Sequence, residues 1–200
     1  MPRIGIICEG TREGSDAQVL KYLAERIVDA AEIDAVPLGN KPNLFNQCGA
    51  VAKSLRKSGC DRILIVWDLL PAWGDDAASA KGDMAKARAS LAAAGLERDP
   101  CIFRIAINRE LETWLVSDGA ALSAVIPRPP NSVTVRAIRN PVAESKPKTW
   151  LTKKFKEIGR REYMPARNAL ELARAMPANL RAIRKIPSFK VFEKSLVVPC

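Results

Sequence analysis

At 200 residues the chain is long enough for one domain with a sizeable core, or for one domain with an appended subdomain, and too short for two large ones. Hydrophobic residues make up 48% and charged residues 27%, the balance of a soluble globular protein, and no apolar run approaches the roughly 20 residues of a membrane span. There is no histidine, which excludes imidazole bases, Ser-His-Asp and Cys-His arrangements and histidine-bound zinc; a metal here would be held by oxygen, which favours Mg²⁺ or Mn²⁺.

The five cysteines (Cys8, Cys48, Cys60, Cys101, Cys200) are scattered, with no C-x-x-C pair, which argues against a zinc ribbon and against a disulfide framework. The apolar run near the N-terminus is too short for a signal peptide and ends in an acid, so a cytoplasmic protein is expected. The net charge of +10 is unevenly placed. From Arg128 onward there are 17 Lys or Arg against 5 Glu, a balance of +12, which leaves about −2 for residues 1–127. Such asymmetry suggests a polyanion contact, nucleic acid being the commonest case.

In chain order, Ile4, Ile6, Ile7 and Cys8 form a short apolar run of the kind found in strands buried on both faces, and it stops at Glu9. Gly10 and Gly14 allow a tight turn, and Ser15 or Asp16 can cap the following helix. Residues 17–31 space Val19, Leu20, Leu23, Ile27 and Val28 as one face of an amphipathic helix, leaving Lys21, Glu25, Arg26 and Asp29 on the other. Residues 34–39 read as a short strand whose Pro37 argues for a sheet edge or strand end, and 43–58 as a second helix stopped by Gly59. The most hydrophobic strand, 62–68, again ends on an acid, Asp68. Parallel strands joined by helical crossovers bring all carboxyl ends to one edge of the sheet, so Glu9 and Asp68 meet there.

A loop and an Ala-rich helix over 84–94 lead to a fourth strand, 101–108, after which Glu110, Glu112 and Asp118 reach the same edge. Glu112 is the preferred candidate, Glu110 the second, because both can face one cleft only if the first turn after the strand is irregular. Beyond Ile126 a proline-rich stretch reads as a linker or wrapping loop, followed by helices over 151–158 and 168–176 and an apolar 186–200 segment that packs back through Phe189, Val191, Phe192 and Leu196. Tyr22 and Tyr163 fall in predicted helices. The expected organisation is an α/β domain over 1–126, with a mostly parallel four-stranded sheet flanked by helices, and a basic, mainly helical extension over 127–200.

Three acids at the ends of three buried strands, without histidine, suit a divalent cation, and a basic extension suits a nucleic-acid backbone; phosphodiester chemistry unites the two. The basic positions expected to touch nucleic acid are Lys153, Lys154, Arg160, Arg161, Arg181, Arg184 and Lys185. Trp67, Trp73, Trp114 and Trp150 are better read as core or interface residues than as base-stacking ones.

The stretch CEGTREGSD, with Asp68 after a hydrophobic strand, resembles the TOPRIM domain of topoisomerases, primases and the overcoming-lysogenization-defect type of nuclease, in which a Glu ends the first strand and an Asp-x-Asp a later one. INRELETWLVSDGAAL, NPVAESKPKTWL and IPSFKVFEKSL are similar to a family of small stand-alone TOPRIM-like proteins, often encoded beside ABC-type or AAA ATPases and linked to antiphage defence in bacteria. The resemblance implies that Glu9 is the general acid/base or first metal ligand, that Asp68 is a metal ligand, and that Glu13, Glu112 and Asp118 are accessory carboxylates. It further implies Mg²⁺ or Mn²⁺ as cofactor, DNA or RNA as substrate and a partner ATPase, and it leaves a homo-oligomer open. The second Asp of the motif is Leu70 here, which weakens the set unless Asp75 or Asp76 substitutes. Two functions are therefore expected: a Mg²⁺-dependent nuclease, or a catalytically inactive adaptor that binds a partner protein or nucleic acid.

Overall fold

In the computed structural model, residues 1–11, 14–70, 80–127 and 132–199 are described; Glu13, Trp73, Asp75 and Asp76 lie outside them. The strands are β1 (Arg3–Cys8), β2 (Glu32–Pro37), β3 (Arg62–Asp68) and β4 (Ile102–Ile107), and they form an α/β sheet in the order β2-β1-β3-β4. Every pairing is parallel. β2 is an edge strand, which is where Pro37, lacking an N–H to donate, can sit without breaking a ladder.

Side chains along each strand alternate between the two faces, and the faces carry different cores. Ile4, Ile6, Cys8, Leu64 and Val66 pack towards helix α1 (Ser15–Ile27) and the C-terminal helices, whereas Ile7, Ile63, Ile65 and Trp67 pack with Leu44, Cys48, Ala87 and Leu91 of α2 (Lys41–Lys57) and α3 (Ala80–Ala93). Helices thus cover both faces, as a parallel sheet requires. α2 and α3 approach closely at Gly49: its N–H donates to Ser90 Oγ at 3.0 Å, and a Cβ there would lie 2.0 Å from the Ser90 carbonyl oxygen.

After β4 come two short helices, α4 (Glu112–Leu115) and α5 (Gly119–Val125), then α6 (Pro147–Glu157), α7 (Pro165–Ala175) and α8 (Pro187–Val197). The C-terminal helices do not form a core of their own. Leu151, Phe155, Leu172, Phe189, Phe192 and Leu196 join Leu20, Leu23, Leu64 and Ile105 in one cluster, with α7 on α1 and α8 on β4. Arg26 of α1 donates to the carbonyls of Ala173, Met176 and Pro177, giving the last turn of α7 the donors that helix ends lack.

Four expectations need correction. Val191, expected to pack back with Phe189, Phe192 and Leu196, is exposed on the outer side of α8. Neither Ser15 nor Asp16 caps α1: Gly14 occupies the cap position, and the Ser15 hydroxyl donates instead to Asp16 Oδ1 at 2.8 Å. Tyr163 lies in the connection between α6 and α7, not in a helix. Cys101 is disulfide-bonded, whereas Cys8, Cys48 and Cys60 are buried free thiols. No described helix is long and apolar enough to cross a membrane.

Candidate functional site

The sheet order sets the site. β1 lies between β2 and β3, so the chain leaves β1 in one direction along the sheet and returns to its other side, and the crevice at such a reversal is where open α/β sheets bind ligands. Glu9 follows β1 directly and Asp68 ends β3, so both stand at the mouth of that crevice. The two are joined: the Asp68 N–H donates to Glu9 Oε1 at 3.1 Å. Below them lies a small pocket of about 190 Å³, counting the space open to solvent, lined by Cys8, Glu9, Asp16, Leu20, Val66, Trp67, Asp68, Ile107 and Leu111.

The loop after β1 reaches the crevice through a backbone contact. Gly10 and Gly39 exchange N–H···O bonds of 2.6 and 2.8 Å, both with positive φ (93° and 82°), a conformation that glycine adopts without the Cβ clash. This turn delivers Asp16, in the first turn of α1, to the pocket wall. Asp16 was read from sequence only as a cap, yet its charge is felt by Cys8, Glu9, Asp68, Glu112 and Tyr163. Its position as the second helical residue after a strand at the reversal point was the available signal.

The segment after β4 is irregular at its start, and of its residues Leu111, but neither Glu110 nor Glu112, lines the pocket. Arg109 has a left-handed φ of 69°, its carbonyl accepts from the Leu70 N–H at 2.7 Å, and α4 begins only at Glu112. Glu112 is buried, 6% exposed, and its Oε1 accepts from the Tyr163 hydroxyl at 3.2 Å. Glu110 Oε1 accepts from the Lys148 N–H at the start of α6, at 2.6 Å. Asp118 is used differently: its Oδ1 caps α5 by accepting from the Ala121 N–H at 2.9 Å.

Burial and mutual repulsion govern the charges here. Glu9 is pushed up to about 7, first by desolvation and then by Asp16 and Asp83; Lys41 and the Asp68 N–H pull the other way. Glu112 is likewise pushed up to about 7 by burial and by Glu110, against Lys148. Asp68 is raised well above the usual carboxylate range by desolvation, with Asp16, Glu112 and Glu9 adding to it. Asp16 is raised by burial, and Ser15 and Lys148 oppose the rise. Burial and Glu112 hold the Tyr163 phenol protonated, as its role of donor demands.

Lys41 is the second residue missed in the sequence. Only 3% exposed, it donates from Nζ to the Leu69 carbonyl at 3.0 Å and pairs with Asp83 Oδ2 at 3.4 Å, so one ammonium ties α2 to α3 and to the exit of β3. A lysine in the first turn of a helix opposes the macrodipole, and that unfavourable placement was its signal.

As donors, these acids fit a hard cation such as Mg²⁺ or Mn²⁺: all are carboxylate oxygens, partly desolvated and mutually repelling. Among the described residues, no three His, Cys, Asp or Glu form a group that could hold a metal ion. The fit is thus one of donor chemistry rather than of a closed ligand shell.

The basic residues expected to hold nucleic acid divide into two groups. Lys153 and Lys154 pair with Glu157, Arg184 pairs with Glu193 at 2.7 Å, and Arg161 donates to the Val125 carbonyl at 2.6 Å while lying over the Phe155 ring. Arg160, Arg181 and Lys185 are exposed. Trp67 and Trp114 are fully buried, Trp67 edge-on to Phe45 and Trp114 donating to Ser188 Oγ at 2.9 Å, which makes both of them core residues.

Compared with known protein families, with characterised proteins and with solved structures, the chain has no significant match.

Proposed function

We propose that the protein is a Mg²⁺-dependent, TOPRIM-like nuclease that hydrolyses phosphodiester bonds in DNA or RNA, acting with a partner ABC- or AAA-type ATPase as the effector of a bacterial antiphage system. The observation that carries the chemistry is the placing of three half-buried carboxylates, Glu9, Asp16 and Asp68, around one pocket at the crevice between β1 and β3, with Glu9 bonded to the backbone of Asp68. The partner ATPase and the defence role rest on the sequence resemblance alone.

In this reading Glu9 and Asp68 hold the cation, and Glu112 supports them from β4's side of the crevice. When bound, Mg²⁺ would activate a water and stabilise the leaving oxygen. Where Glu9 serves as the general acid/base instead of a ligand, it would take a proton from the attacking water and return it to the leaving group. Its bond to the Asp68 N–H fixes one carboxylate oxygen, so the proton is exchanged at the other. The exposed Arg160, Arg181 and Lys185 would hold the phosphate backbone by charge.

A specific observation favours the alternative, a catalytically inactive adaptor. Leu70, half-buried and tied through its N–H to Arg109, stands where the motif has its second Asp. Calorimetric titration with Mg²⁺ and Mn²⁺ on the wild type and Glu9→Ala, followed by plasmid and RNA cleavage in the same samples, separates the two. Binding lost in Glu9→Ala, with cleavage by the wild type, establishes the nuclease. Binding without cleavage points to a required partner, and no binding leaves the adaptor.

A further inference from the structure

Building on that reading of the site, we propose that Tyr163 is a positioning residue, which holds the carboxylate of Glu112, just after β4, from the C-terminal extension. The phenol is buried, 7% exposed, and donates to Glu112 Oε1 at 3.2 Å. Its ring is itself fixed: it lies 5.2 Å from the Phe155 ring at an interplanar angle of 56°. Phe155 is in turn covered by the Arg161 guanidinium at 5.1 Å, which is anchored on the Val125 carbonyl. A chain of packed and bonded groups therefore runs from α6 to one oxygen of Glu112.

A carboxylate has about four lone-pair positions, of which the phenol takes one and the backbone N–H of Glu112 itself another. Glu112 is coupled by charge to Asp68 and Asp16. The arrangement is repeated two residues earlier, where the Lys148 N–H holds Glu110. Both acids that follow β4 are thus gripped by residues of the extension, and α4, a single turn long, supplies little rigidity of its own. Groups that orient a metal-binding carboxylate affect metal affinity by about 10–100-fold without touching the metal.

The test is a double-mutant cycle on the full chain with Mn²⁺ alone as the probe: wild type, Tyr163→Phe, Glu112→Gln and the double variant, each titrated calorimetrically. Phenylalanine keeps the ring on Phe155, and an unchanged near-ultraviolet spectrum verifies that packing. Tyr163→Phe should weaken Mn²⁺ binding about ten-fold, and adding it to Glu112→Gln should weaken binding no further. Wild-type affinity in Tyr163→Phe, or losses that multiply in the double variant, overturn the proposal. If the wild type binds no Mn²⁺, the metal reading itself has failed, and the carboxyl ¹³C resonance of Glu112 then decides the positioning role. A shift of that resonance in Tyr163→Phe supports the role, and an unmoved one overturns it.

Discussion

Glu9 and Glu112 enter the folded state carrying a burden that a solvated carboxylate does not have. Both shift from 4.5 in the ordinary state to about 7 in the fold, with burial the largest cause. A raised carboxylate binds more protons when folded than when unfolded, so its contribution to stability falls as pH rises between those two values and is flat above the upper one. The protein is accordingly expected to melt at a lower temperature at pH 8 than at pH 5.5 as far as these two groups act. Glu112→Gln, which still accepts from Tyr163, should melt a few degrees above the wild type at pH 8 and lose that advantage by about pH 5. Melting curves at the two pH values check this; parallel curves for the two proteins at both would rule it out. Lys41 contributes through its ion pair. Lys41→Met leaves Asp83 buried without its ammonium, a change that costs about 3–5 kcal/mol, and denaturant unfolding should show it at pH 7. Of these residues, Glu9 and Asp68 could be located from sequence, because an apolar run that stops at an acid marks a strand end; Glu112 could be named only as one of the acids soon after the fourth strand. Asp16 and Lys41 carried only weak signals and Tyr163 none, because each comes from a helix turn or a connection whose direction only the packed fold determines.

The elements themselves were largely legible. Continuous apolar runs located the strands and the 3.6-residue period the helices, and β3 has the boundaries expected from its sequence. The errors concentrate at helix starts. α6, α7 and α8 begin at Pro147, Pro165 and Pro187, ahead of the expected 151 and 168 and inside stretches read as linker or tail. Proline at the first helical position lacks only an N–H that has no intrahelical partner there, and its fixed φ suits the turn, so these prolines start helices rather than interrupt them. The packing between α2 and α3 was equally hidden, since nothing in an Ala-rich helix names the glycine it lies against. That contact gives a direct prediction. In Gly49→Ala the new methyl would meet the Ser90 carbonyl at 2.0 Å, a backbone atom that cannot rotate away. The two helices must separate, and the expected loss of about 1–3 kcal/mol exceeds any gain in helix propensity, which is about 1 kcal/mol. Chemical denaturation should find the variant less stable; equal or greater stability would show that the helices do not pack this closely.

At the scale of the molecule, the division suggested by charge does not coincide with the division of the core. The basic excess lies beyond residue 127, yet the apolar residues there complete the cluster on the α1 face of the sheet instead of building a second one. Leu20, Leu23, Leu64 and Ile105 on one side meet Leu151, Phe155, Leu172, Phe189 and Phe192 on the other, all essentially without exposure. Polar contacts follow the same seam, with Arg26 on the end of α7 and Arg62 on the carbonyls of Ser195 and Val198. The extension also covers one face of a parallel sheet, and such sheets need helices on both. Residues 1–126 alone should therefore expose a broad apolar face and leave Glu110 and Glu112 without Lys148 and Tyr163. Expressed alone, that fragment is expected to bind a hydrophobic dye strongly and to lack a cooperative thermal transition, while the full chain shows a single one. A fragment that unfolds cooperatively, with a near-ultraviolet spectrum of fixed aromatic packing, would mean that the sheet and α1–α5 fold by themselves and that the extension is a separable module. The first result would make the acid site a property of the whole chain, because the groups that hold two of its carboxylates come from the same extension that closes the core.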